Sequence, residues 1–377
     1  MKKILFTSTY FYPYLSGLAE YPLKLASHFS KNYQVTVLTF QHQNDLEKVE
    51  QLNSLTVHRV PVHLKVFKGL WNFFYPFTVL KQVIRNDVIF INLPQFEGLF
   101  PSLLGRIFGK KTYCIYNCEL SFENNFPAET VAFLGNLSAY FSCLFCDKII
   151  TYTKNYAQNS SILKYFPKKL FFVLPPVEKY TIDKSYSKYL KDNFSTFKPI
   201  IGFAGRVARE KGLVYLIEAL IMLEKDFPDI SLLVAGPYGK NVVGEENYYL
   251  KIARIVKSKK LKVYFLGSLD KNRLFSFYKK IDLLVLPSVN KTEAFGMVQV
   301  DAMLSGTPVI ASDIPGVRVP INLTKMGLLV KPGSSKDLAN KIIKILQNPK
   351  KFRENTKKAK IIFNAKKTYK FYEKLII

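Results

Sequence analysis

Residues 199–212 read PIIGFAGRVAREKG, and residues 293–316 read EAFGMVQVDAMLSGTPVIASDIPG. The first is a short apolar run that closes on Gly205 and turns into a basic loop, with Arg206 and Lys211 five residues apart. A strand-to-helix turn without side-chain bulk lets backbone N–H groups approach an anion, and two cations on it suit a diphosphate. Taken alone, basic residues in such a loop are more often solvated than functional. The second stretch places Glu293 just after an apolar run ending at Pro287 and Ser288. It puts Gly296 at a helix start and Asp301 eight residues beyond Glu293. Taken alone, Glu293 reads as a helix cap and Asp301 as a solvated helix residue.

Outward from these stretches, short apolar runs alternate with amphipathic segments, the pattern of a parallel sheet with crossover helices. Strands are expected at 3–8, 34–40, 55–60, 87–92, 111–116, 148–153 and 169–173, with a helix at 18–30. Residues 174–177, LPPV, break the pattern, and the stretch up to Lys198 is polar, rich in Tyr and Lys, and weakly periodic. A second cycle has strands at 199–205, 230–236, 262–267, 282–287 and 307–311. Its helices are expected at 213–225, 247–257, 272–280 and 296–305. The expected class is α/β, with an N-terminal Rossmann-like domain over 1–176, a linker over 177–198 and a C-terminal Rossmann-like domain over 199–347. Residues 348–377 read as basic amphipathic C-terminal helices.

At 377 residues and 48% hydrophobic, the chain has enough apolar mass for two such cores. Its formal net charge is +27, with an excess of +10 in residues 1–198 and +17 in residues 199–377, so both halves are basic. That field draws in phosphorylated ligands, anionic lipid or nucleic acid without choosing among them. No nucleic acid is expected as a partner, because the aromatics fall in apolar runs and no recognition motif occurs. The four cysteines, Cys114, Cys118, Cys143 and Cys146, lack a second pair at structural-zinc spacing and read as reduced core residues. No small-residue cleavage site follows the opening apolar run, and no stretch reaches the roughly 18 apolar residues of a membrane span. The expectation is a cytoplasmic protein without a signal peptide, at most peripheral on a membrane face. Lys65, Lys68, Trp71, Phe73, Phe74 and Phe77, with the basic tail, are the candidates for contact with an anionic membrane surface.

In order and separation, the two stretches resemble the motifs of the family 4 retaining glycosyltransferases, G-R-x-x-x-x-K-G and E-x-F-G-x-x-x-x-E followed by A-M-A-x-G-x-P-V-V-A. The resemblance runs from the first strand to about Lys344. It includes Ser16-Gly17-Leu18-Ala19-Glu20 and Val234-Ala235-Gly236-Pro237. It implies the GT-B plan, two Rossmann-like domains facing each other across a cleft, with the terminal helix returning to the N-terminal domain. It also implies that Arg206 and Lys211, on the turn opened by Gly205, hold a donor diphosphate, and that Glu293 hydrogen-bonds donor-sugar hydroxyls. Backbone amides of Phe295, Gly296 and Met297 then meet sugar and phosphate oxygens. Leu266 and Gly267 match the nucleobase-facing strand end, and Gly17 the loop that closes on the phosphate region.

Two positions depart from the family pattern. Asp301 stands where the family has a ribose-contacting Glu, and its reach is shorter by about 1.5 Å, one carbon–carbon bond. Asn117 stands where many relatives have a histidine beside the reacting sugar, and an amide exchanges no proton. Glu119 is the nearest candidate for a compensating acid. The resemblance implies retaining transfer of a hexose-type sugar from a UDP- or GDP-sugar to a glycan or lipid-linked acceptor, with no cofactor and no required metal. A sugar-nucleotide epimerase, an inactive nucleotide-sugar-binding relative and, more remotely, a nucleic-acid-binding protein are the alternatives.

Overall fold

Period and burial turn the apolar runs into two parallel sheets. The computed structural model describes all residues except 15, 67–68, 122–125, 179, 291 and 377, and the side chains of 126–128 are left aside. The chain divides into unit 1, Met1–Pro176 with Ala365–Ile377, and unit 2, Val177–Asn364.

Unit 1 begins with β1 (Lys3–Thr7), α1 (Gly17–Phe29), β2 (Gln34–Phe40), β3 (Val49–Leu52) and β4 (Leu55–Val60). A hairpin of β5 (Leu64–Val66) and β6 (Gly69–Trp71) leads into α2 (Tyr75–Arg85), β7 (Val88–Leu93) and α3 (Leu99–Ile107). Then come β8 (Lys111–Tyr116), α4 (Phe126–Phe145), β9 (Lys148–Thr151), α5 (Lys154–Asn159) and β10 (Leu170–Phe172). The sheet order is β10-β9-β8-β7-β1-β2-β4-β3, parallel except where β3 runs antiparallel to β4. A parallel strand covered on both faces reads as an unbroken apolar run, and every residue of β7 is buried. Strand order reverses between β1 and β7, the point outside whose carboxyl ends ligands bind in sheets of this kind. The terminal helix Ala365–Ile376 belongs to this unit, with Tyr372, Leu375 and Ile376 joining Ile4, Phe6, Tyr21 and Phe90 in its core. Tyr113 Oη donates to the carbonyl of Leu375 at 3.0 Å.

Unit 2 opens with α6 (Lys184–Phe194), β11 (Ile200–Ala204), α7 (Leu213–Leu223), β12 (Ser231–Ala235), α8 (Glu246–Ser258) and β13 (Val263–Gly267). It continues with α9 (Lys271–Lys280), β14 (Leu283–Leu286), α10 (Met297–Leu304), β15 (Val309–Ser312), α11 (Arg318–Thr324) and β16 (Gly327–Val330). Helices α12 (Ser335–Gln347), α13 (Pro349–Arg353) and α14 (Thr356–Ile362) follow, and the chain ends in α15 (Ala365–Ile376), the terminal helix of unit 1. The six strands, ordered β13-β12-β11-β14-β15-β16, are all parallel and reverse direction of order between β11 and β14.

One reading of the sequence is corrected here. Residues 177–198 are not only a connection, because α6 forms within them and packs on α9 as part of unit 2. Asp183 starts it, its Oδ1 accepting the Tyr186 amide at 2.9 Å, and only Leu190 and Phe194 are buried, so the apolar period is faint. Of residues 348–377, α13 and α14 lie in unit 2, and α15 belongs to unit 1, as expected of the terminal helix. Strand β16 escapes a reading by periodicity because it is only GLLV. A Cβ at Gly327 would sit 1.9 Å from the Val309 carbonyl oxygen, so the strand pair closes only on glycine.

Candidate active site

The switch point of unit 2 brings the two quoted stretches together. The loop after β11 and the loop after β14 are joined by the Val289 amide donating to the Glu210 carbonyl at 3.0 Å. Gly212 holds φ +67°, and a Cβ there would lie 2.1 Å from the Pro287 carbonyl oxygen, so the loops meet at this distance only with glycine. Across this contact Lys211 Nζ lies 2.5 Å from Glu293 Oε2, with both side chains largely covered. The other oxygen of Glu293 accepts the Gly296 amide at 3.0 Å. Glu293 therefore does serve the helix start, yet each carboxylate oxygen keeps a lone pair for a further donor such as a sugar hydroxyl.

Gly296, at φ +72°, begins α10 with no side-chain cap on its first turn. Phe295 is buried, which leaves only its backbone for a ligand. The helix start offers unshared N–H groups and the positive end of the dipole, a setting for phosphate oxygens.

Each cation of the β11 loop is held by a carboxylate. Arg206 Nη2 contacts Glu210 Oε1 at 2.8 Å, Arg209 lies 3.8 Å from Glu245, and Lys211 is paired with Glu293. Burial, and then the Glu210 charge, push the Glu245 carboxyl above its ordinary range. A diphosphate entering this loop carries the charge that these carboxylates supply in its absence. Arg209, Glu210 and Glu245 were not singled out in the sequence; the density of charge in RVAREKG was the available signal for the first two, and Glu245 comes from a separate segment.

Gly205, Gly236 and Gly267 close the neighbouring strand ends. The Gly205 amide donates to Ala235 and the Gly236 amide to Gly267, each at 2.8 Å. Leu266 and Gly267 thus lie at the carboxyl end of the edge strand β13. Asp301 is buried one turn into α10, in a crevice it shares with Lys271 and Tyr278 of α9 and with Tyr180. It is not a solvated helix residue. Among the described residues, no group of three His, Cys, Asp or Glu is placed to hold a metal ion.

Unit 1 has its own polar cluster at the β1/β7 switch point. Asn117, just past β8, is buried, and its Nδ2 donates to Asn92 Oδ1 at 2.8 Å and to the Leu93 carbonyl at 2.7 Å. Its Oδ1 accepts from Tyr152 Oη at 2.6 Å. Asn92 in turn donates to Ser8 Oγ and to the Leu18 carbonyl, so one chain of hydrogen bonds ties the ends of β1, β7 and β8 to α1. Asn117 thus braces the carboxyl ends of the central strands. Glu119, read as a candidate acid, is committed elsewhere: its carboxylate accepts from the Ser160 hydroxyl and from the amide and hydroxyl of Ser161. Gly17 is the first residue of α1, with nothing within 4 Å of where a Cβ would stand, and Ser16 caps the helix through the Ala19 amide at 3.2 Å.

Beside this cluster, Glu97 is buried with Oε1 accepting from Thr9 Oγ1 at 2.7 Å, and among the described residues no other side chain bonds Oε2, although its own backbone amide also draws on the carboxylate. Burial pushes its carboxyl up to about 7, against the pull of the Thr9 hydrogen bond. Sequence reading missed both Asn92 and Glu97. The signal for Asn92 was one amide inside the otherwise apolar run VIFINL.

With this geometry in place, comparison with known proteins defines the class. Residues 189–362 match the family described as Glycosyl transferases group 1. An uncharacterized glycosyltransferase of Methanocaldococcus jannaschii is 27% identical over 391 residues, covering 96% of this chain and 90% of that one. Sucrose-phosphate synthase of Thermosynechococcus elongatus superposes with a TM-score of 0.77 at 20% identity, over 100% of this chain and 99% of that one. Anabaena HepE, solved in complex with UDP-glucose, superposes with a TM-score of 0.79 at 18% identity, over 99% of each chain. The fold is GT-B, and the chain is a glycosyltransferase.

Proposed function

We propose that the chain is a retaining glycosyltransferase of the family 4 type. It moves a hexose-type sugar from a UDP- or GDP-sugar to a hydroxyl of a glycan or lipid-linked acceptor, as a step of cell-envelope glycan assembly at the cytoplasmic face of a membrane. The observation that carries the reading is the Lys211–Glu293–Gly296 arrangement, where a cation, a carboxylate and an uncapped helix start converge at a sheet switch point. The UDP-glucose named for the HepE complex supports a donor of this kind.

In this proposal Arg206 and Lys211 take up the negative charge that grows on the diphosphate as the bond from anomeric carbon to phosphate oxygen breaks. Charge stabilisation of a leaving group in a fixed site is the dominant catalytic effect available here. Glu293 receives hydroxyls of the donor sugar, the amides of Phe295 and Met297 face sugar and phosphate oxygens, and the Gly296 amide does so once it leaves Glu293 Oε1. Gly205 keeps side chains out of the phosphate region, Leu266 and Gly267 meet the base, and Asp301 meets the ribose directly or through water. The acceptor oxygen attacks from the face that the leaving group vacates, and its proton passes to a donor phosphate oxygen. Configuration is thereby retained without a protein base, consistent with an amide at Asn117. No cofactor and no metal enter the scheme.

The test is to incubate the protein with UDP- and GDP-sugars and a membrane-lipid extract, and to follow free nucleoside diphosphate and the anomeric configuration of the product by NMR. Release with one donor and a product of retained configuration is expected. An inverted product overturns the retaining assignment, an epimerised nucleotide sugar points to an epimerase, and donor binding without release points to an inactive relative.

A further inference from the structure

Helix α4 is built inside out. Its buried positions are small, Ala132, Gly135, Ala139, Ser142 and Cys143, while Phe133, Leu134, Leu137, Phe141 and Leu144 are exposed. A surface helix of a soluble protein carries its large apolar residues inward and polar residues outward. Residues 130–146 contain no charged residue at all. Gly135 is pinned by Leu120 and Phe96, either of which a Cβ would strike, so the small face is the packed one.

Exposed apolar residues continue on the neighbouring helices, although α2 also buries Tyr75, Val79 and Val83 in the ordinary way. In and just before α2, Phe74, Phe77, Lys81 and Ile84 recur at helical spacing on the exposed side, with Phe77 70% exposed. Ile107 and Phe108 are exposed where α3 ends. Helix α2 packs on α3 and α3 on α4, so these stripes belong to one layer, and Lys110 Nζ fastens the end of α3 to the Ile84 carbonyl at 3.1 Å. The β5–β6 hairpin extends it, with the ring of His63 against Phe73 and Phe74, and with Leu64 and Trp71 both exposed. Lys68, expected at this surface, lies outside the described residues.

Cations border the layer. Lys65, Lys81, Arg85 and Arg106 are exposed along the hairpin, α2 and α3, and Lys164 and Lys168 are exposed beside the end of α4. Among the described residues, the exposed carboxylates nearby are Glu129, Asp87 and Asp147, and the latter two accept the backbone amides of Lys3 and Thr112. Contiguous exposed apolar surface marks an interaction site, and its border selects the occupant. Two copies of this face would set like charges against each other, whereas an anionic bilayer answers both the aromatic stripe and the cationic border. The terminal helix α15 turns its apolar residues Tyr372, Leu375 and Ile376 into the core of unit 1.

We propose that the outer layer of α2, α3 and α4, with the β5–β6 hairpin, is a docking face for a bilayer surface rich in anionic lipid. Among the described residues no helix is long and apolar enough to cross a membrane, so the layer lies on the bilayer. The proposal is independent of the donor site, and vesicle binding measured without nucleotide sugar tests it separately from catalysis.

Trp71 is the chain's one tryptophan and stands at the corner of this layer, so its emission reports docking. With vesicles of phosphatidylcholine plus phosphatidylglycerol, a blue shift of Trp71 and co-sedimentation are expected, both weakened by salt and absent with phosphatidylcholine alone. The pairs Leu137→Glu/Phe141→Glu and Phe74→Ser/Phe77→Ser should each weaken apparent affinity by on the order of tenfold or more, with the melting curve unchanged. Lys357→Glu/Lys358→Glu, on the unit 2 helix α14, should bind as the wild type does. If the α4 pair misfolds, the Phe74/Phe77 pair and the Trp71 shift decide the matter. Equal binding to neutral vesicles, no binding, or binding unmoved in the folded variants overturns the proposal. So does a dimer that Leu137→Glu/Phe141→Glu dissolves, because the occupant is then a second copy.

Discussion

Replacing Glu97 with glutamine should make unit 1 more stable by an amount that grows as pH rises from about 4.5 and levels off above 7. The carboxyl is buried, and among the described residues only the Thr9 hydroxyl and the Glu97 backbone amide serve it, too little to offset burial of the charged form. Burial raises its folded-state value from 4.5 to about 7. A raised folded value means that the native state holds the proton more tightly than the unfolded chain does. The favourable contribution is therefore complete below about pH 4.5 and is lost as pH rises through 7. A shift of this size corresponds to roughly 3 kcal/mol at most, at 1.36 kcal/mol per pH unit. Glutamine keeps an acceptor for Thr9 and never ionises. The melting temperature of Glu97→Gln minus that of the wild type, followed by calorimetry from pH 5 to 8.5, should rise with pH and level off above 7. A plateau of roughly 6 to 12 °C follows from the usual 2 to 4 °C per kcal/mol for a unit of this size. Other titrating groups cancel in the difference. A constant offset, or a difference that shrinks as pH rises, refutes the reasoning.

Asn117→Ala strips buried partners from Asn92 Oδ1 and Tyr152 Oη, and should cost about 2 to 4 kcal/mol in urea unfolding, more than Tyr152→Phe. Gly212→Ala sets a Cβ 2.1 Å from the Pro287 oxygen at φ +67°, so it should lower stability by at least ~2 kcal/mol and weaken donor binding in calorimetry. Transfer activity should be unchanged by EDTA, as judged by nucleoside diphosphate release; loss that manganese restores would count against the metal-free scheme.

The parallel strands were legible because burial on both faces makes them unbroken apolar runs, and β2, β4 and β8 match the sequence reading residue for residue. The class followed from two motifs whose glycines and charges sit where backbone geometry demands them, as Gly296 and Gly212 show. Features set by tertiary contact were harder to read. Helix α6 carries too few buried residues to print a period, and β16 needs Gly327 only because another strand's carbonyl crowds it. The outward stripe of α4 has the same periodicity as an inward one, so sequence alone could not tell which face meets solvent. The partners of Asn117 and Glu97 come from segments far apart in the chain, and spacing carries no trace of them.

The central claim is that Lys211 and Glu293 act as a unit on the donor, and a double-mutant cycle tests it most directly. The quantity is kcat/KM for release of nucleoside diphosphate by the wild type, Lys211→Ala, Glu293→Ala and the double variant, with the donor that the wild type uses. Each single change should lower the rate by on the order of 10² to 10³, and the double variant should be little worse than the poorer single, because paired groups are not additive. Full activity in either single variant, or losses that simply multiply, would contradict the account.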